Sequence, residues 1–229
     1  MEYPHNRPYT ADDLIRIITL LRDPVNGCPW DKVQTHTSIR MNFLEEAYEA
    51  VDALDLDDPV LMCEELGDVL MQVAFHTCME QETGRFTWEQ VCDDVCQKLI
   101  ERHPNIFGTQ PGYEGITDWD ALKNKEKGRR TLADDLESVP RAMPALMRAA
   151  KLQKRAARHG AALQGADAAA LADAAENLQT AQPASAQAEQ AVGELLFAAA
   201  NLARQAGVDP EQALQKANEA FCTAAGPVA

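Results

Sequence analysis

Basic residues are scarce in this chain: 21 Lys and Arg stand against 36 Asp and Glu, giving a net charge of −15 over 229 residues. A chain so acidic repels polyanions, which argues against nonspecific binding to DNA, RNA or an anionic membrane. No run of 18 apolar residues occurs, so no transmembrane helix is expected, and no signal-peptide pattern opens the sequence. Cysteines at positions 28, 63, 78, 92, 96 and 222 form no Cys-x-x-Cys pair. Reduced thiols in a cytoplasmic protein are the simple expectation. No period-two run of β-branched residues is long enough for a sheet. What is present, 46% hydrophobic and 25% charged residues, is ordinary globular composition. An all-α helical bundle is the fold class expected.

The punctuation supports helices. Thr10-Ala11-Asp12-Asp13 offers an N-cap for a helix through Leu20, and Gly27-Cys28-Pro29 interrupts with a loop. Asp58 followed by Pro59 gives an N-cap and a first-turn proline, and Thr87-Trp88-Glu89-Gln90 matches a capping box. Pro104 ends that helix after His103, and residues 104–118 read as irregular.

Between two of these helices, expected over residues 38–55 and 59–83, lies the pattern that carries chemistry. Glu46 and Glu49 precede the turn Leu56-Asp57-Asp58-Pro59, and Glu65 and Asp68 follow it. In an antiparallel hairpin, positions with equal sums lie at equal height, and 46 and 68 sum to the same total as 49 and 65. Glu46 is therefore expected to face Asp68, and Glu49 to face Glu65. Three-residue spacing puts each pair on one face, about 4.5 Å apart along the axis.

Two readings compete. Residues 45–68 hold ten acidic residues, and a charged stripe is commonly a solvated face. On the first helix Phe43, Leu44, Ala47, Tyr48, Val51 and Leu54 would then form the buried side, away from Glu45, Glu49 and Asp52. Against this, Val69-Leu70-Met71-Gln72-Val73-Ala74-Phe75 is apolar nearly all round and reads as buried on most sides, where ionised carboxylates need a cation. An oxygen-only cluster suits Mg2+, with Mn2+ as the substitute. No Glu of the two helices is followed by His three residues later, as di-iron bundles require.

Leu44-Glu45-Glu46-Ala47-Tyr48-Glu49 with Glu64-Glu65-Leu66-Gly67-Asp68-Val69-Leu70 resembles the E-E-x-x-E, spacer, E-x-x-D motif of the MazG nucleoside triphosphate pyrophosphohydrolases. Flanking blocks agree in order: Gly27-Cys28-Pro29-Trp30-Asp31-Lys32 and Gln34-Thr35-His36 upstream, Glu82-Thr83-Gly84-Arg85-Phe86 and Arg102-His103-Pro104-Asn105-Ile106-Phe107 downstream, then Trp119, Lys123, Glu126 and Lys127. The likeness runs from residue 12 to residue 221.

The resemblance implies Mg2+-dependent hydrolysis of a nucleoside triphosphate to the monophosphate and pyrophosphate, in nucleotide-pool cleansing or stress metabolism, by a homodimer. It implies Glu46, Glu49, Glu65 and Asp68 as metal ligands and Glu45 as general base or supporting carboxylate, with Glu64 as the other candidate. Asn42, Lys98, Arg102, Trp119, Lys123 and Lys127 are the substrate-binding candidates, and His36 is a further nucleotide contact. Each of Trp30, Trp88 and Trp119 also has a plain reading as a core or interface residue, and His103 as a helix cap. The alternatives are a narrower pyrophosphatase, for deoxyuridine or deoxycytidine nucleotides or phosphoribosyl-ATP, and a regulatory protein without catalysis.

A damaged internal repeat follows. Gly193-Glu194-Leu195-Leu196 echoes Gly67-Asp68-Val69-Leu70, Asp209-Pro210-Glu211-Gln212 echoes the helix start at Thr87 as a second capping box, and Lys216 echoes Lys98. The equal-sum test about Pro183 selects Glu176, Gln179, Ala191 and Glu194, so two of four carboxylates are replaced. Two tandem MazG-like domains are expected, a catalytic one over 10–130 and a degenerate one over 131–229 that serves packing or dimerisation. Eleven of the 21 Lys and Arg residues lie between Lys123 and Arg158. Each member has a plain reading as solubilised helix surface or an ordinary ion pair, and as a set they could meet a polyphosphate.

Overall fold

The computed structural model describes residues 3–5, 7–104, 106–108, 122 and 126–226, and among them every regular element is helical. The chain divides into two compact units, Met1–Ile116 and Thr117–Ala229.

The first unit contains α1 (Ala11–Leu21), α2 (His36–Leu56), α3 (Pro59–Glu82) and α4 (Trp88–Arg102). Side chains start each helix. Thr87 forms the expected reciprocal capping box with Gln90, the N-cap expected at Thr10 is likewise a full box with Asp13, and Asp58 accepts from the Val60 and Leu61 amides ahead of α3. Thr35 adds a box with Ser38 that starts α2 two residues before the expected boundary. Asp57 closes α2 in the left-handed region at φ 53°, which a short polar side chain tolerates, and Asp58 immediately opens α3. The tight turn forces α2 and α3 into an antiparallel hairpin, the most extensive helix pairing in this unit.

Burial corrects the expected faces. The buried residues of α2 are Ile39, Ala50 and Ala53, whereas Tyr48, Val51 and Leu54 are about half exposed at 54%, 49% and 54%. The side of α2 set against α3 therefore carries small residues and Glu46, and the larger apolar residues face outward. On α3 burial concentrates in the C-terminal half, at Gln72, Ala74, Phe75, Thr77, Cys78, Met79 and Glu80, while Val60, Leu66 and Leu70 remain exposed. α1 explains the asymmetry, because Leu14, Ile15 and Ile18 pack with Ile39, Ala74, Phe75, Cys78 and Met79 and cover that half.

Arg22 locks this core to the loop before α2. Its guanidinium makes a bidentate pair with Glu82 at 2.5 and 2.8 Å, donates to the Asp31 and Gln34 carbonyls, and lies over the Phe75 ring. Trp30 meets Phe75 edge-on at 6.4 Å, in keeping with its packing role. Gly27 is required by close backbone approach, since a Cβ there would fall 2.4 Å from the Asp23 and Leu21 carbonyl oxygens.

The second unit contains α5 (Leu132–Glu137), α6 (Ala145–Arg158), α7 (Ala168–Thr180), α8 (Ala186–Gln205) and α9 (Pro210–Ala225). α7 and α8 form its most extensive pairing. Asp209 caps α9 through the Glu211 and Gln212 amides, without the reciprocal bond of a full capping box. Asp135 is fully buried and meets Arg155 at 3.0 Å, Arg158 at 2.9 Å and His159 at 3.1 Å. Two members of the cationic stretch are thus committed to an internal ion network.

Candidate metal centre

The α2–α3 hairpin brings three of its four candidate ligands together, and Asp68 stands outside that group. Glu46, Glu49 and Glu65 each present a carboxylate oxygen, and the three atoms lie within 4.8 Å of one another. Glu46, Glu65 and Asp68 are half-buried against the opposing helix, and Glu49 is exposed at the rim.

Burial raises the pKa of Glu46 above the ordinary value of 4.5, and the Asp68 charge, with the hydrogen bond and charge of Glu49, pushes it further. Burial also raises Glu65, followed by repulsion from Glu49, then Glu64 and Asp68. Asp68 and Glu49 both oppose ionisation of Glu46, and Glu49, Glu64 and Asp68 oppose that of Glu65. Opposing the shift on Glu46 is a single protein donor, the Gln72 amide, whose Nε2 lies 3.4 Å from Glu46 Oε1. No Lys or Arg among the described residues forms a salt bridge with the cluster.

The donor set fits a hard divalent cation. Carboxylate oxygens that repel one another at this separation are stabilised when a dication joins them, and oxygen-only donors select Mg2+ or Mn2+ over softer metals. Gln72 supplies a second sign of a polar ligand. The residue is only 6% exposed, and its Oε1 has no hydrogen-bond partner among the described residues. Among the described residues no comparable convergence of three ligating groups occurs in the second unit. There Glu176, Gln179 and Glu194 are exposed, Glu194 accepts from Gln190, and Ala191 is buried.

The remaining candidates are placed as follows. Glu45 and Glu64 are exposed and stand outside the three converging groups. Asn42 is half-buried, one turn before Glu46 on α2. Lys98 is exposed on α4 and lines a cleft with Phe86, Gln90, Val91 and Asp94, none of them in the cluster. Arg102 is half-buried in the last turn of α4. Lys127 is exposed in the second unit, and Trp119 and Lys123 lie outside the described residues. His103 caps α4 through its ring Nδ1 and the Leu99 carbonyl at 2.7 Å.

Two groups on α3 were missed in the sequence. Gln72 was legible as the lone polar residue of an apolar run, one turn beyond Asp68. His76 continues the same face toward His36, which stood only as a nucleotide-contact candidate.

The sequence was also compared with known proteins. The MazG nucleotide pyrophosphohydrolase domain model matches residues 34–107, which include α2, α3 and α4. The nucleoside triphosphate pyrophosphohydrolase of Escherichia coli strain K12 is 41% identical over 219 residues, covering 92% of this chain and 83% of that protein. The Thermotoga maritima nucleoside triphosphate pyrophosphohydrolase/pyrophosphatase MazG is 38% identical over 212 residues, covering 92% and 82%. The Mycobacterium tuberculosis nucleoside triphosphate pyrophosphohydrolase is 34% identical over 154 residues, covering 66% and 46%. With likeness of this extent, and its acids gathered across one helical hairpin, the chain belongs to the MazG nucleotide pyrophosphohydrolase family and is a hydrolase.

Proposed function

We propose that the protein hydrolyses nucleoside triphosphates to nucleoside monophosphate and pyrophosphate, with Mg2+, or Mn2+ in its place, held by Glu46, Glu49, Glu65 and Asp68. The observation that carries this reading is the convergence of Glu46, Glu49 and Glu65 within 4.8 Å. The chemistry Mg2+ supplies when bound is neutralisation of phosphate oxygens and acidification of water.

Water adds at one of the two phosphorus atoms flanking the α–β bridge, the bridging P–O bond breaks, and pyrophosphate departs from the monophosphate. Glu45 is the candidate acceptor for the water's proton, with Glu64 the other. Roles for Asn42, Lys98, Arg102, Trp119, Lys123 and Lys127 toward the triphosphate and nucleoside rest on the family resemblance.

Catalysis is assigned to the first unit, because the second has lost two of the four corresponding carboxylates. A homodimer through the outer face of the α2–α3 hairpin suits the exposed Tyr48, Val51, Leu54, Leu66 and Leu70, an apolar group that a second copy would cover. No helix among the described residues is long and apolar enough to cross a membrane. A cytoplasmic setting suits the six free cysteines, and removal of unwanted nucleotides is the role proposed there.

Phosphorus NMR of products from a nucleotide panel with Mg2+ tests the reading. Pyrophosphate and monophosphate are the expected products. Orthophosphate would refute the reaction type, and turnover of one nucleotide alone would favour the narrower pyrophosphatase. Inactivity across the panel would favour the regulatory reading.

A further inference from the structure

Four polar or charged side chains are buried in the first unit among the described residues: Arg22, Gln72, Thr77 and Glu80. Three have structural partners. Arg22 holds Glu82 and two carbonyls, Thr77 donates to the Val73 carbonyl at 2.8 Å, and Glu80 is paired with His36 and Arg85. Gln72 differs. Its one hydrogen bond is the 3.4 Å contact to Glu46, and its Oε1 is the only buried side-chain polar atom in that unit found without a partner among the described residues.

Burying an amide costs free energy unless both its ends are satisfied, so Gln72 does not serve the fold as an apolar residue would. Its place suggests what it serves. Gln72 lies one turn beyond Asp68 on α3, and its N–H reaches across to Glu46 on α2. A donor there opposes the repulsion that Asp68 and Glu49 exert on the ionised Glu46 carboxylate, and it restrains the side chain's rotation. Residues that orient a ligand in this way tune a metal site without touching the ion.

We propose that Gln72 is a positioning residue of the cation centre: its amide N–H holds Glu46 in the orientation that meets Glu49 and Glu65, and its buried carbonyl oxygen receives a donor that arrives with the ion or the substrate. This rests on the assignment of Glu46, Glu49, Glu65 and Asp68 as cation ligands. It adds a neutral residue outside the acidic motif to the machinery that makes that motif competent.

Mn2+ titration followed by electron paramagnetic resonance of the free ion, on the full chain, tests the inference apart from activity. Gln72→Met keeps the side chain's length and removes both polar ends. Its expected Mn2+ affinity is about 10- to 100-fold weaker, with a metal-free Tm equal to or above that of the wild type and a loss in kcat that saturating Mn2+ partly restores. A variant that binds Mn2+ within twofold of wild type overturns the role, whether or not its Tm falls.

Should the methionine variant fail to fold, Gln72→Leu decides. It too removes the donor to Glu46, so its Mn2+-induced rise in Tm should be smaller than that of the wild type, and an equal rise overturns the inference. The parent reading is controlled separately by wild type and Glu46→Gln. Absence of Mn2+ binding by the wild type refutes the cation centre itself. Binding that Glu46→Gln loses and Gln72→Met retains refutes the role of Gln72 alone.

Discussion

His36 and His76 stack across the α2–α3 interface with ring centroids 5.0 Å apart and planes 6° from parallel, and their Nδ1 atoms are 2.7 Å from each other. One of the two nitrogens must accept. His36 Nε2 lies 2.5 Å from Glu80 Oε1 and so carries a proton toward that carboxylate, which Arg85 also pairs. Burial, and then the neighbouring His36, lower the pKa of His76 below its ordinary 6.5, so His76 is the natural neutral partner.

Stability should therefore decline on the acid side. A histidine whose folded pKa is lowered binds its proton first in the unfolded chain, so stability is lost as pH falls below 6.5. Thermal melts from pH 7.5 to 5.5 should show this fall, and His76→Phe should flatten it. An equally steep fall in the phenylalanine variant would place its origin elsewhere.

The carboxylate cluster has the opposite dependence. Glu46 and Glu65 have pKa values raised above 4.5, so the folded chain keeps their protons to higher pH than the unfolded chain does. Metal-free stability should fall as pH climbs above 4.5, through the raised values. At neutral pH, Mg2+ at about 100 times its Kd should restore about 2.7 kcal/mol. Melts with Mg2+ and with chelator measure the difference.

Arg22 anchors the core beneath the site through Glu82, two backbone carbonyls and the Phe75 ring. Arg22→Met should cost about 2–4 kcal/mol, because the carbonyls of Asp31 and Gln34 lose a charged donor. Arg22→Lys should recover little of it, since an ammonium cannot reproduce the planar fork. Urea unfolding of the three chains would read this order.

Much of the hairpin was legible because its signals are local. Asp58-Pro59 and the threonine boxes fix helix starts through bonds spanning two or three residues, and the antiparallel hairpin then brings Glu46, Glu49 and Glu65 together. The burial of α2 was not legible. Tyr48, Val51 and Leu54 look like a core stripe, yet the tight approach to α3 goes to Ala50 and Ala53, a choice made by the partner helix and not by hydrophobicity. Arg155 and Arg158 fall to the ion-pair reading of their stretch, but their partner was not legible because nothing in their own segment reveals Asp135, about 20 residues upstream. The role of Gln72 likewise appears only once Glu46 lies opposite it.

Asp135 offers a check on the division of labour. Asp135→Ala leaves Arg155, Arg158 and His159 without their shared carboxylate and should destabilise the second unit by about 3–5 kcal/mol. Turnover per folded molecule should remain close to wild type. A large loss of kcat in a sample shown to be folded would mean that the second unit takes part in catalysis.

The most direct measurement of the central claim compares steady-state nucleoside triphosphate turnover, at saturating Mg2+, in Glu46→Gln, Asp68→Asn and Glu176→Gln. The first two should lose at least about 100-fold in kcat, and the third should stay within about twofold of wild type. Full activity in either of the first pair, or collapse in the third, would contradict the assignment of hydrolysis to the α2–α3 carboxylates.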